Sequence, residues 1–146
     1  MFELKDFYDY CRQNGVDVIP FAGMPHPGAT LRDRGRYAVF LDFTQIPSTR
    51  LLRGICSHEM SHAATGALHK VASPFELVER SEYRANRWAT QRFLKADAFR
   101  EAFALGYTEL WQLAEYFDLP ERVITDALAY WTQRKEIAFF SIDNGS

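Results

Sequence analysis

The spacing of apolar and polar positions predicts a short β-rich part at the start of the chain. Residues 3–14 place apolar side chains at helical spacing, and the glycine that follows predicts the end of this helix. Residues 16–21 are apolar and rich in β-branched side chains, which is typical of a strand. Two further apolar runs, 29–32 and 36–43, flank a turn sequence at 33–35 and together predict a β-hairpin.

The rest of the chain has helical periodicity. Four amphipathic segments predict helices at residues 50–65, 76–99, 108–117 and 121–134. A small sheet followed by several helices indicates an α+β fold, in which a sheet of antiparallel type packs against the helices. We expect a single domain over residues 1–146, with a helical C-terminal portion at about 107–135 and a frayed tail at 141–146.

Composition excludes several classes of protein. With 146 residues, 47% hydrophobic and 25% charged, the chain can bury a core and is not of the disordered class. A net charge of −2 excludes a nucleic-acid binder that is basic over its whole surface. The chain has only two cysteines, too few for a disulfide framework, and it lacks an apolar run long enough for a membrane span. We therefore expect a cytoplasmic protein with no membrane partner.

The strongest chemical signal is the sequence HEMSH at residues 58–62, inside a predicted helix. Two histidines four positions apart lie on the same face of a helix, so His58 and His62 can bind one Zn²⁺ at about 2.0–2.1 Å. Glu59 lies beside the first ligand and is placed to accept a proton from a metal-activated water. Gly54, one turn before His58, predicts an open helix surface that could admit substrate.

A catalytic zinc site needs a third protein ligand and one open position. Glu82 lies on the next predicted helix, with nineteen residues between His62 and Glu82, enough for two helices to pack side by side. Spacing and flanking residues favour Glu82 over Glu79, the main alternative, which is one turn earlier. Asn86, one turn after Glu82, is placed to orient a ligand imidazole. The weaker candidates for third ligand are Glu76, His69 and Asp97.

The chain resembles the ImmA/IrrE family of metallopeptidases, small zincins common in phages, prophages and integrative elements. The resemblance rests on RYAVFLD at 36–42, HEMSH at 58–62 and EYRANRWATQRFL at 82–94, and it extends over about residues 15–135. It implies a zincin fold with Zn²⁺ held by His58, His62 and Glu82, and with Glu59 as general base. It also implies an endopeptidase whose protein substrate is a transcriptional repressor of a phage or mobile element.

Three points of the chemistry stay open at the level of sequence. His69, Tyr83 and Tyr37 are candidates for the donor that stabilises the oxyanion. The strand at 36–43 could hold an extended peptide by β-augmentation. The alternative function is a zinc-containing regulatory or binding module with little proteolysis. The presence of Glu59 argues against that alternative, because a module that only binds does not need this carboxylate.

The C-terminal portion resembles a helix-turn-helix, but its charge argues against DNA binding. From residue 107 onward it carries three basic side chains and seven acidic ones. Such a segment repels the phosphate backbone on which DNA affinity depends. We therefore predict that these helices serve packing or protein recognition, and we expect no nucleic-acid partner.

Overall fold

The protein, in a computed structural model that describes residues 1–68 and 75–140, has the predicted α+β fold. The elements of this part of the chain are α1 (Leu4–Asn14), β1 (Asp17–Pro20), β2 (Gly28–Asp33), β3 (Arg36–Leu41), α2 (Thr49–Thr65), α3 (Phe75–Phe93), α4 (Ala96–Ala104), α5 (Leu110–Phe117) and α6 (Glu121–Ala129). A π-helical turn, Tyr130–Arg134, continues α6. None of the described helices is long and apolar enough to cross a membrane. The tail predicted at 141–146 lies outside the described residues.

The three strands form a mixed sheet in the order β1-β3-β2. β2 and β3 make the predicted antiparallel hairpin, and its two turn residues, Arg34 and Gly35, have positive φ angles of 52° and 78°. That geometry matches the twist of the flanking strands. The expected sheet of antiparallel type is antiparallel only between β2 and β3, because β1 pairs in parallel with β3, with Asp17 opposite Ala38. β1 and β2 lie on opposite sides of β3, so the loop that joins them crosses the end of β3.

A buried carboxylate fixes this crossing loop. Asp42 follows β3 directly and accepts hydrogen bonds from the backbone N–H groups of Gly23 and Met24, at 3.0 and 3.1 Å. It also accepts a bond from the Gln45 side chain at 2.9 Å and one from the Thr44 backbone at 3.0 Å. The bonds from Gln45 and Thr44, with those from the loop backbone, hold the pKa of Asp42 well below its usual range.

The long helix predicted at 76–99 is in fact two helices. The chain leaves the α-helical conformation at Lys95, which has φ −66° and ψ 151°, and α4 begins at the next residue. In one continuous helix, Phe93 and Phe99 would point about 120° apart around the axis. The break lets both rings enter the same core, where Phe93 is 9% exposed and Phe99 is fully buried.

The turn between α5 and α6 packs against the middle of α2. The buried Arg53 donates from Nε to the Asp118 carbonyl at 2.8 Å and pairs with Glu3 at 3.0 Å, so it also holds the start of the chain. Beside it, the absence of a side chain at Gly54 admits the Pro120 ring, since a Cβ at Gly54 would lie 2.7 Å from the ring carbons. The surface at Gly54, expected to be open to substrate, is thus partly covered by Pro120, and Gly54 still lines the cavity beside the histidines of α2.

Candidate metal centre

Helix α2 places the two histidines of the HEMSH sequence one turn apart. The helix begins after Ser48, whose side chain accepts from the Leu51 N–H at 3.1 Å, and it ends at Gly66 in the left-handed conformation. The rings of His58 and His62 lie 4.6 Å apart, nearly perpendicular to each other. Their Nε2 atoms are separated by 3.1 Å, so both nitrogens are directed to the same point.

Helix α3 brings a carboxylate to these nitrogens. Glu82 Oε2 lies 3.0 Å from His58 Nε2, and Glu82 Oε1 lies 3.2 Å from His62 Nε2. The neighbours of Glu82 on the buried face of α3, Ser81 and Ala85, are small, which permits the close approach of the two helices. The donor atoms of His58, His62 and Glu82 all lie within 4.8 Å of one another.

The other candidates for third ligand do not join this cluster in the part of the chain that is described. Glu79 is exposed on α3, and Asp97 on α4 pairs with Arg100 at 2.7 Å. The side chain of Glu76 and the whole of His69 lie outside the described residues. Among the described residues, the grouping of three donors consists of His58, His62 and Glu82.

The C-terminal end of α2 orients His62. Because Gly66 turns the chain back, the Ala67 carbonyl oxygen lies 2.6 Å from His62 Nδ1. A carbonyl only accepts, so Nδ1 carries the hydrogen and Nε2 is the atom directed at the cluster. The Ser81 hydroxyl donates to the same carbonyl, which joins this orienting group to α3. Orientation of an imidazole was predicted for Asn86, but no hydrogen bond joins Asn86 to either histidine among the residues described.

A positive charge between the two imidazoles and the Glu82 carboxylate stabilises the cluster. Burial lowers the pKa of His62, but the bond to the Glu82 carboxylate, the charge of Glu59 and the Ala67 carbonyl outweigh it, so the pKa is raised overall. The bonds from His58 and His62 hold the pKa of Glu82 well below its usual range. With Nδ1–H of His62 directed at Ala67, its Nε2 lone pair faces an anionic oxygen unless a proton or a cation lies between them.

These residues fit a zinc ion. Two ligands about 2.0–2.1 Å from a tetrahedral ion are roughly 3.3 Å apart. The observed separations of 3.0, 3.1 and 3.2 Å between the donor atoms of His58, His62 and Glu82 are close to that value. Two imidazoles and one carboxylate are also a donor set that zinc takes in catalytic sites, which keep a fourth position open.

A hydrogen bond from the sheet holds the neighbouring carboxylate of Glu59. Glu59 is 6% exposed, and the Thr30 hydroxyl of β2 lies 3.0 Å from its Oε1 and 3.1 Å from its backbone carbonyl oxygen. β2 crosses α2 so closely that a Cβ at Gly28 would lie 2.6 Å from Ile55 Cγ2 and 3.2 Å from Glu59 Cγ. No pattern in the sequence indicated Thr30, because its contact with Glu59 spans 29 positions and follows no local spacing.

A cavity of about 470 Å³ opens beside the cluster. Its wall is mainly apolar, and α6 contributes Arg122 and Asp126 to its rim. Of the donors predicted to stabilise an oxyanion, Tyr37 lies on β3 with its ring 5.7 Å from the Arg32 guanidinium, and the Tyr83 ring lies 4.9 Å from the Arg134 guanidinium. Neither tyrosine lines this cavity, whereas the side chain of Asn86 does.

Comparison of the chain with protein-family models, with curated proteins and with solved structures found no match. The interpretation of the centre is therefore based on the geometry and chemistry of its own residues.

Proposed function

We propose that the protein is a zinc-dependent endopeptidase. The observation that carries the proposal is the convergence of His58, His62 and Glu82 on one point beside a buried Glu59 and an open cavity. A site that only stabilised the fold with a metal would use a fourth protein ligand and would close the coordination shell. Among the described residues the cluster has three donors, and two of them, His58 and Glu82, line the cavity together with the acid–base group of Glu59.

His58, His62 and Glu82 would hold the zinc. When bound there, zinc would act as a Lewis acid and would lower the pKa of a water molecule bound to it to about 7. Thr30 engages Oε1 of Glu59, and no hydrogen bond to Oε2 occurs among the described residues. Oε2 is therefore the atom placed to take the proton of the attacking water and to deliver it to the amide nitrogen as the C–N bond breaks.

An extended peptide segment fits the surroundings of the site. β2 is an edge strand of the described sheet, and it lies against α2 at Glu59. An exposed edge can bind a peptide through main-chain hydrogen bonds. The earlier expectation that β3 holds the peptide is wrong, because β3 is paired on both sides, by β1 and by β2. The proposed substrate is thus an extended segment of a protein, and the resemblance to ImmA/IrrE peptidases points to a transcriptional repressor.

The first experiment measures the zinc content of each chain by elemental analysis after purification with zinc. We expect close to one zinc per chain in the wild type and in Glu59→Gln, and little in His62→Ala or Glu82→Ala. Glu79→Ala is the matched control, because Glu79 is an exposed glutamate on the same helix outside the cluster, and it should retain zinc. Loss of zinc in Glu79→Ala with retention in Glu82→Ala would contradict the proposed ligand set.

The second experiment tests proteolysis with the zinc-loaded protein and a library of fluorogenic peptides. The wild type should cleave members of the library, and Glu59→Gln should not, although it keeps its zinc. If the zinc-loaded wild type and Glu59→Gln are equally inactive on the library and on candidate repressors, the peptidase proposal fails. The zinc-containing regulatory or binding module would then be the better interpretation.

A further inference from the structure

A second, smaller cavity lies next to the metal cavity. It has a volume of about 220 Å³ and is formed by α3, the end of α6 and the π-helical turn that follows. Asn86, Thr90 and Asp126 line both cavities, so the two spaces adjoin. We call the smaller space the side cavity; its other walls include Tyr83, Arg87, Gln133 and Arg134.

Two guanidinium groups of the side cavity each lie close to the Tyr83 ring. The Cζ atom of Arg134 lies 4.9 Å from the centroid of the Tyr83 ring, and that of Arg87 lies 5.8 Å from it. Neither arginine forms an ion pair with a carboxylate within residues 1–68 and 75–140. Both side chains line the same cavity, so an anion bound there is attracted by two positive charges.

The chemistry of the walls favours a carboxylate as that anion. Guanidinium groups bind carboxylates through paired, charge-assisted hydrogen bonds, and the Tyr83 ring limits the orientations of both groups. The amides of Asn86 and Gln133 add neutral donors at the same walls. Asp126 lines both cavities, and in the side cavity the two guanidinium groups outnumber its single negative charge.

We propose that the side cavity binds an acidic side chain of the protein substrate, two or three residues from the bond that is cleaved. Arg87 follows Glu82 by five positions on α3, a rise of about 7.5 Å along the helix. An extended peptide advances about 3.3 Å per residue, so this rise corresponds to roughly two residues. The proposal depends on the proposed peptidase function for the meaning of the cleaved bond, but binding of the acidic side chain can be tested without cleavage.

The binding test uses ¹⁵N NMR on the full chain carrying Glu59→Gln, loaded with zinc. The probes are the peptide acetyl-Ala-Asp-Asp-Ala-amide and its counterpart with Asn in place of both Asp residues. We expect the Asp peptide to shift the Nε–H signals of Arg87 and Arg134 in a saturable manner, and the Asn peptide to leave them in place. Replacing both arginines with Gln should weaken binding of the Asp peptide by about tenfold or more, as for loss of a charge-assisted hydrogen bond.

Arg92→Gln is the matched control. Arg92 is also an arginine of α3 that lies over an aromatic ring, 5.3 Å from the Trp88 centroid, but it does not line the side cavity. The Arg92→Gln protein should bind the Asp peptide as tightly as the parent protein does. Equal shifts with the Asn peptide, or equal weakening by Arg92→Gln, would show only general attraction to basic surface and would overturn the proposal.

Cleavage then separates this proposal from the peptidase proposal. The zinc-loaded wild type should cleave peptides with Asp two or three residues from the bond faster than the same peptides with Asn, and Arg87→Glu with Arg134→Glu should reverse the preference in favour of Lys. If the Asp peptide binds as expected but no peptide is cleaved, the side-cavity proposal is supported and the peptidase proposal is contradicted. If peptides are cleaved without acidic preference and the Asp peptide does not bind, the peptidase stands and the side-cavity proposal fails.

Discussion

Replacement of Gly54 by Ala tests how the α5–α6 turn packs on the helix that carries the metal ligands. A Cβ at Gly54 would lie 2.7 Å from both Cδ and Cγ of Pro120. Carbon atoms in contact are normally about 3.5–4.0 Å apart, so the new methyl group would overlap the ring by about 1 Å. Pro120 cannot swing aside as a long side chain would, because its ring is part of the backbone and Arg53 holds the turn at Asp118.

Two opposing effects determine how much Gly54→Ala changes the free energy of unfolding. Ala in the interior of a helix is more favourable than Gly by about 0.8–1.0 kcal/mol. Inserting a methyl group into a packed site costs typically about 1–3 kcal/mol, and the rigidity of Pro120 puts this site in the upper part of that range. We therefore expect Gly54→Ala to lower the free energy of unfolding by about 1–2 kcal/mol, whereas helix propensity alone predicts an increase of about 1 kcal/mol.

Urea unfolding followed by circular dichroism measures this difference. The control is a double-mutant cycle with Pro120→Ala, which removes the ring that the methyl group would meet. Gly54→Ala should be less destabilising, or even stabilising, in the Pro120→Ala background, with a coupling of roughly 1 kcal/mol or more. A Gly54→Ala protein that is more stable than the wild type by about 1 kcal/mol, with no coupling to Pro120, would refute the packing described for this turn.

Three further predictions follow from single contacts. Thr30→Val should lower kcat for peptide cleavage by about tenfold or more at unchanged zinc content, because Glu59 loses a charge-assisted bond, and Thr30→Ser should recover most of the activity. The pKa of Asp42 is lower in the folded than in the unfolded chain, so its stabilising effect is present above about pH 4 and is lost in acid; thermal melts between pH 3 and 6 should show a smaller loss for Asp42→Asn. Burial raises the pKa of Cys11 to about 11 and that of Cys56 to about 12, so a disulfide reagent at pH 8 should label both thiols only after unfolding, and rapid labelling of the native protein would contradict their burial.

Local signals predicted the elements that interactions between near neighbours in sequence determine. Gly15 and Gly66 end α1 and α2 in the left-handed conformation, and the Ser48 side chain caps the start of α2. These contacts join residues within about five positions of each other, so the sequence carries them directly. The shared face of His58 and His62 is of the same kind, because the helical repeat alone brings positions four apart together.

Tertiary structure decided everything that depends on contacts between distant segments. The parallel pairing of β1, the place of Pro120 against Gly54 and the bond from Thr30 to Glu59 join residues 20 to 70 positions apart, and no spacing rule encodes them. The break at Lys95 has the same origin. The local pattern predicts one continuous helix, but burial of both Phe93 and Phe99 in the same core requires the chain to leave the helical conformation between them.

The metal centre combines both kinds of information. The sequence by itself determined that two histidines share a helix face, and that a glutamate on the next helix could reach them. Only the packing of α2 on α3 decided that Glu82, and not the exposed Glu79, lies 3.0 and 3.2 Å from the two imidazoles. Likewise, a backbone carbonyl at Ala67, which no side-chain pattern reveals, orients His62. Periodicity fixes which side chains lie on the same face of a helix, whereas the partner of that face depends on how the whole core packs.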